Sequence, residues 1–254
     1  MLEAEIRRRR KDKDILLMTH IVLGYPSFEA SIEIARAMVD AGVDLMELQI
    51  PFSEPMADGP VILRANQESL TAGSTVARCY EVAQQLASEL PIPFLFMSYY
   101  NVPFTRGAAR FAREVRELGL KGAIIPDVPI EEGQELFEAM RREGVDPVFL
   151  FSPNTSEARM AAIAAEASGL IYCVARKGVT GAATEFAALD AYLARCRAAT
   201  SLPLALGFGV KNRADIEQLI GKVDIAVVGS ETIRVVDEHG VAAVGPFIRG
   251  LLGA

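Results

Sequence analysis

Three observations predict that this chain is an α/β protein, a single closed (β/α)8 TIM barrel with an extra N-terminal helix. Eight short apolar runs recur along the 254 residues. Amphipathic helical stretches separate them. No Gly-Ser linker or shift of composition divides the chain, so one domain is expected over 1–254. Eight strand-then-helix units in about 250 residues match the size of such a barrel. A doubly wound open sheet is the structural alternative.

The runs 15–23, 44–50, 93–98, 122–126, 147–151, 169–174, 203–207 and 224–229 are short, continuous and apolar. That pattern suits parallel strands buried on both faces. The segment 28–42 reads as a helix with Ile32, Ala35, Met38 and Val39 on one face. Ser27 is placed to cap its start and Gly42 to stop it. Segments 107–119, 131–144, 156–169 and 212–221 repeat the design, each ending in glycine shortly before the next strand. Segments 74–90 and 185–200 are longer versions, and a short helix over roughly 2–12 precedes the first strand.

Composition narrows the function. With 51% hydrophobic residues the chain can build a substantial core. A net charge of −7 argues against nucleic-acid binding, which needs a basic face to neutralise phosphates. A phosphorylated small molecule remains compatible, because a local pocket can oppose the global sign. The three cysteines, Cys79, Cys173 and Cys196, are odd in number and far apart. They suggest reduced thiols rather than a disulfide framework or a zinc site. The charged N-terminus lacks the apolar core of a signal peptide. No apolar run approaches the ~18 residues of a membrane span. A cytoplasmic protein without a metal is expected.

In a barrel of this kind the chemistry sits at the C-terminal ends of the strands. The second run continues as ELQIPFSEPMADGPVI. Alternation along that strand can aim Glu47 into the barrel, and Asp58 follows in the loop. A carboxylate on an apolar strand needs a partner or a task, since burying a charge is costly. The competing reading is a salt-bridged core Glu and a turn Asp. After the seventh and eighth runs come Gly207-Phe208-Gly209 and Gly229-Ser230. Glycine there allows close approach to a ligand, and helix N-terminal amides favour an anion. A phosphate site is expected at these two strand ends. After the sixth run, RKGVTGAA (176–183) reads either as a loop whose glycines let it close over substrate or as a flexible surface loop with solvated charges. His20, alone on an apolar strand, reads either as a satisfied structural histidine or as a pocket residue whose charge makes binding pH-dependent. His239 lies in a turn and carries no signal.

These residues together resemble the tryptophan synthase alpha subunit. The segment ELQIPFSEPMADGPVI looks like that family's strand-2 signature. SYYN (98–101), PDVPIEE (126–132), Tyr172 with GVTG (178–181), GFG and VVGS (227–230) follow in the family's order. The resemblance covers nearly the whole chain. It implies retro-aldol cleavage of indole-3-glycerol phosphate to indole and glyceraldehyde 3-phosphate. It implies no cofactor in this chain, with pyridoxal phosphate in a beta subunit that completes an alpha2-beta2 assembly.

By the same resemblance Glu47 is the acid–base residue, and Asp58 holds the indole N–H and its developing positive charge. Tyr172, Thr180, Tyr99 and His20 fall at substrate-binding positions, with Thr180 positioning Asp58. Gly181, Gly209, Gly229 and Ser230 fall at phosphate-binding ones. Asp127 would lie beside the strand-2 loop and respond to the partner, and Tyr99 and Asn101 would lie at the face that meets it.

Several positions depart from the family pattern. Gln49 stands where Gly is usual, His20 where Phe lines the indole pocket, and Tyr25 where the loop is acidic. Glu54 replaces Asp, Met56 replaces Leu and Leu63 replaces Gln. Glu54 and Met56 suggest a beta partner with matched substitutions. Two other functions stay open: a sugar-phosphate isomerase or epimerase, and a divergent, non-catalytic barrel that binds a phosphorylated ligand and regulates a beta-type partner.

Overall fold

Eight parallel strands close on themselves in sequence order in the computed structural model, which describes the backbone of residues 1–175, 182–207 and 209–253. They are β1 (Leu16–Val22), β2 (Leu45–Gln49), β3 (Phe94–Met97), β4 (Gly122–Ile124), β5 (Asp146–Phe151), β6 (Ile171–Val174), β7 (Leu204–Gly207) and β8 (Ile225–Val228). Each pairs with the next, and β1 closes the ring by pairing with β8, Leu16 opposite Ile225. Seven of them lie within the expected runs, and β5 begins one residue earlier, at Asp146. The residues that fall away are mostly those at run ends, where the ladder gives way to loop.

The helices are α1 (Leu2–Arg9), α2 (Phe28–Asp40), α3 (Pro60–Thr71), α4 (Val76–Glu89), α5 (Asn101–Arg106), α6 (Ala108–Glu117), α7 (Gln134–Arg142), α8 (Glu157–Glu166), α9 (Ala182–Ala199), α10 (Arg213–Glu217), α11 (Ser230–His239) and α12 (Val244–Leu252). The caps follow ordinary chemistry. The Ser27 hydroxyl accepts from the Ala30 amide at 3.1 Å and starts α2. Gly42 ends that segment with φ +105°, a conformation that favours glycine.

Four helices escape the sequence reading: α3, α5, α11 and α12. Each sits beside residues that read as loop or turn, such as the Asp58-Gly59-Pro60 turn that places Pro60 at the first position of α3. Most of the expected helices are shorter than read, α7, α8 and α10 by the most. The 131–144 segment first turns on the Pro129 carbonyl, which accepts from the Glu132 and Gly133 amides at 3.1 Å each, before α7 begins. The buried face of α2 is also rotated from the expected one. Ser31, Ile34, Ala35 and Met38 are buried, whereas Ile32 and Val39 are only partly so.

Two apolar layers hold the barrel. Leu17, Ile21, Met46 and Leu48 point outward into the layer under the helices. Leu16, Met18, Leu45, Leu95, Met97, Ile225 and Val227 point inward and fill the barrel. Leu2 and Ile6 of α1 belong to the inner layer and are fully buried. They plug the N-terminal end, and the Leu2 amide donates to Asp146 Oδ2 at 2.9 Å. With that end closed, the barrel opens only where the strands terminate.

Candidate active site

The inward positions on β1 and β2 follow from the same alternation. Leu16, Met18 and then His20 face inward on β1; Leu45, Glu47 and then Gln49 do so on β2. In the parallel register His20 lies opposite Glu47, and Gln49 lies one inward step closer to the C-terminal end. Glu47 is only 2% exposed and Gln49 is 0% exposed. The strand-2 loop then turns back. Asp58 N–H donates to the Pro55 carbonyl at 2.9 Å, just before α3 begins.

These side chains form one hydrogen-bonded string. His20 Nδ1 lies 2.9 Å from Glu47 Oε2, and His20 Nε2 lies 2.8 Å from Gln49 Oε1. Gln49 Nε2 donates to Asp58 Oδ2 at 2.7 Å. Tyr99 donates its hydroxyl hydrogen to the same Oδ2 at 3.0 Å and accepts from the Ala57 amide at 3.0 Å. Phe52 stacks on the Tyr99 ring at 5.1 Å. Asp58 is therefore held by two donors from behind. Glu47 Oε1 is buried with no hydrogen-bond partner in the protein among the described residues. A buried carboxylate oxygen left unpaired is costly.

Glu47, Asp58 and His20 line one cavity of about 150 Å³, with Ile62, Met97, Leu150, Tyr172 and Gly229 among its other walls. A cavity of that size accepts a benzene-sized ring. The Tyr172 phenol is held protonated: burial raises its pKa first, and the charges of Glu47 and Asp58 raise it further. For the His20 imidazole, burial pulls the pKa down. The Glu47 hydrogen bond and charge, the Asp58 charge and the Gln49 contact together outweigh it, so the pKa is raised above 6.5.

At the far side, Gly229 lines the cavity and Ser230 opens the ten-residue helix α11. Gly209 has φ +69°, and among the described residues nothing lies within 4 Å of its Cβ position. The structure thus brings Glu47, Asp58, His20, Tyr172 and Gly229 together, with Ser230 next to Gly229. Tyr99 corrects an expectation. It is buried, 1% exposed, behind Asp58, and is not at an outer face; it does not line the cavity. Asp127 accepts from the Tyr100 amide at 2.9 and 3.1 Å, which anchors the turn after β3. Thr180, Gly181 and Phe208 lie outside the described residues. The sequence reading weighed His20 and Gln49 separately and missed that they touch. Their inward positions on adjacent strands were the available signal.

The chain matches the family described as "Tryptophan synthase alpha chain" over residues 6–244. The chain belongs to the tryptophan synthase alpha chain family. A tryptophan synthase alpha chain from Syntrophotalea carbinolica is 59% identical to it over 99% of this chain and 100% of that one. Another from Desulforapulum autotrophicum is 59% identical with the same coverage. Among solved structures, tryptophan synthase of Mycobacterium tuberculosis superposes with a TM-score of 0.91 at 28% identity, covering 99% of this chain and 96% of that one. A tryptophan synthase complex from Pyrococcus furiosus gives 0.86 at 26% identity, covering 94% of this chain and 98% of that one. Solved relatives of this tryptophan synthase alpha chain family thus include complexes.

Proposed function

We propose that this chain cleaves indole-3-glycerol phosphate to indole and glyceraldehyde 3-phosphate, as the alpha subunit of tryptophan synthase in tryptophan biosynthesis. It is an enzyme, a carbon–carbon lyase. One observation carries the reading: Glu47, whose buried Oε1 has no partner among the described residues, and Asp58, clamped by Gln49 and Tyr99, line one cavity of aromatic size.

Breaking a carbon–carbon bond to an aromatic carbon requires a proton on that carbon and an anion near the nitrogen that becomes cationic. Glu47 gives a proton to indole C3 and takes one from the glycerol hydroxyl. Asp58 accepts from the indole N–H and stabilises the charge that develops there. Tyr172 packs against the bound ring. The backbone at Gly229 and Ser230, at the start of α11, and at Gly209 receives the phosphate, because amides at a helix start favour an anion. Thr180 and Gly181 complete the site from the strand-6 loop, as the family resemblance implies.

This chain holds no cofactor of its own in this reading. Pyridoxal phosphate belongs to the beta subunit of an alpha2-beta2 assembly. The exposed Met56 (81%) and Phe104 (72%), together with exposed Asn101, support the partner face on the β2 and β3 loops. Among the described residues no helix is long and apolar enough to cross a membrane. That supports a cytoplasmic place, and the continuous barrel supports one domain.

The test supplies indole-3-glycerol phosphate to the purified chain, alone and with a pyridoxal-phosphate beta subunit, and measures indole and glyceraldehyde 3-phosphate. Slow cleavage alone and faster cleavage with the partner are expected. Tight binding of the substrate without turnover in either case would contradict the reading.

A further inference from the structure

Glu47 and Asp58 are bridged by two side chains that depart from the family pattern, His20 and Gln49. The bridge fixes its own protons. Ionised Asp58 only accepts hydrogen bonds, so the end of the Gln49 amide facing it at 2.7 Å is the NH2 group. The amide oxygen then faces His20 Nε2 at 2.8 Å, and that nitrogen carries a hydrogen. His20 Nδ1 faces Glu47 Oε2 at 2.9 Å, and both residues are almost wholly out of water, at 4% and 2% exposed. Two bare acceptors do not sit so close in a buried site. A proton lies between them, either on Glu47 beside a neutral imidazole or on Nδ1 beside a carboxylate.

We propose that His20 is a positioning residue that keeps one proton shared with Glu47, and that Gln49, anchored on Asp58, locks the His20 tautomer that makes this sharing obligatory. The proposal rests on the lyase reading and deepens it: the acid–base group of this chain is a Glu47–His20 pair. Proton balance is preserved through the cycle. The pair starts with one proton and Glu47 delivers it to indole C3, leaving the ring nitrogen cationic beside Asp58. The carbon–carbon bond then breaks and its electrons return to the ring. The hydroxyl O–H electrons form the aldehyde carbonyl, and the released proton restores the pair.

Among the described residues, the titratable groups around His20 are Glu47, Asp58 and the protonated Tyr172, with Tyr99 behind Asp58. Gly229 after β8 and Ile62 on α3, on the other side, carry no charge. The raised pKa of His20 agrees with a pair that keeps its proton above the ordinary imidazole range.

Two measurements test this. The chain has two histidines, His20 and His239, so imidazole nitrogen NMR of the whole chain is assignable with a His239→Gln control. The expected His20 signal keeps hydrogen on Nε2 and titrates above about 6.5. Its midpoint falls by about one unit or more in Glu47→Gln, and the fixed tautomer is lost in Gln49→Met. In the complex with the beta subunit, kcat for cleavage is followed against pH. The alkaline limb is expected about one unit or more lower in both His20→Phe and His20→Gln than in wild type, with KM changed less than about threefold. The hydrogen-bonding but non-titrating His20→Gln separates proton holding from hydrogen bonding. A His20 midpoint that Glu47→Gln leaves in place, or superimposable pH profiles, would overturn the proposal. Absence of cleavage in wild type would instead overturn the lyase reading, while the NMR still decides whether the proton is shared.

Discussion

Single side chains carry the chemistry, and their effects separate by what each one touches. Tyr99 holds Asp58 Oδ2 and the Ala57 amide with one hydroxyl. Tyr99→Phe is expected to lower kcat about tenfold while leaving KM within about threefold, because a hydrogen bond to a charged group is worth about 1.5–3 kcal/mol; steady-state cleavage kinetics check it. His20 makes a second prediction, on stability. Its pKa is raised in the folded chain, so its contribution is full below about pH 6.5, the unfolded value, and is lost as pH rises through the folded one. Urea unfolding near pH 6 and near pH 8.5 should show wild type losing more stability on that rise than His20→Phe loses, and equal losses would contradict it. Glu47 and Asp58 were legible in the sequence because a strand carboxylate and a loop carboxylate stand out against apolar surroundings. The clamp of Tyr99 on Asp58 was not, because the residues lie 41 positions apart and meet only when β3 pairs with β2.

Elements position those side chains through register and close packing. Strands β1 and β2 carry the string because His20 pairs with Glu47 and Val22 with Gln49. Strand β4 needs Gly122, where a Cβ would stand 2.6 Å from the Asp146 carbonyl oxygen and 2.9 Å from Leu95 Cδ2. Backbone cannot yield as a flexible side chain can, so Gly122→Ala is expected to destabilise the chain by about 1–3 kcal/mol. Thermal or urea unfolding measures this, and an unchanged midpoint would contradict the tight β4–β5 contact. The strands were legible because buried parallel strands read as unbroken apolar runs. Helices α3, α11 and α12 were not, because their starts carry Pro or Gly, which a sequence reader assigns to turns, and packing on the barrel decides their state. The rotated face of α2 has a related cause: Ile32 and Ile34 are equally apolar, and only the neighbouring elements select Ile34.

At the scale of the molecule, the barrel has one closed end and one working end. Helix α1 closes the first through Leu2 and Ile6, both fully buried in the inner layer. Ile6→Ala should therefore cost about 2–5 kcal/mol of stability. Cleavage at a temperature where the variant stays folded should be within about threefold of wild type, because the plug lies opposite the cavity; chemical denaturation and kinetics together check both halves. The working end gathers His20 of β1, Glu47 of β2, Tyr172 of β6 and Gly229 just after β8, which are distant in sequence, and the proposed chemistry depends on the Glu47 carboxyl group in the cavity wall. The decisive measurement is kcat for indole release by Glu47→Gln compared with wild type in the presence of the beta subunit. General acid–base catalysis predicts a loss of about 10² to 10⁴-fold, with substrate binding retained. A variant that keeps kcat within about threefold of wild type would contradict the role given to Glu47.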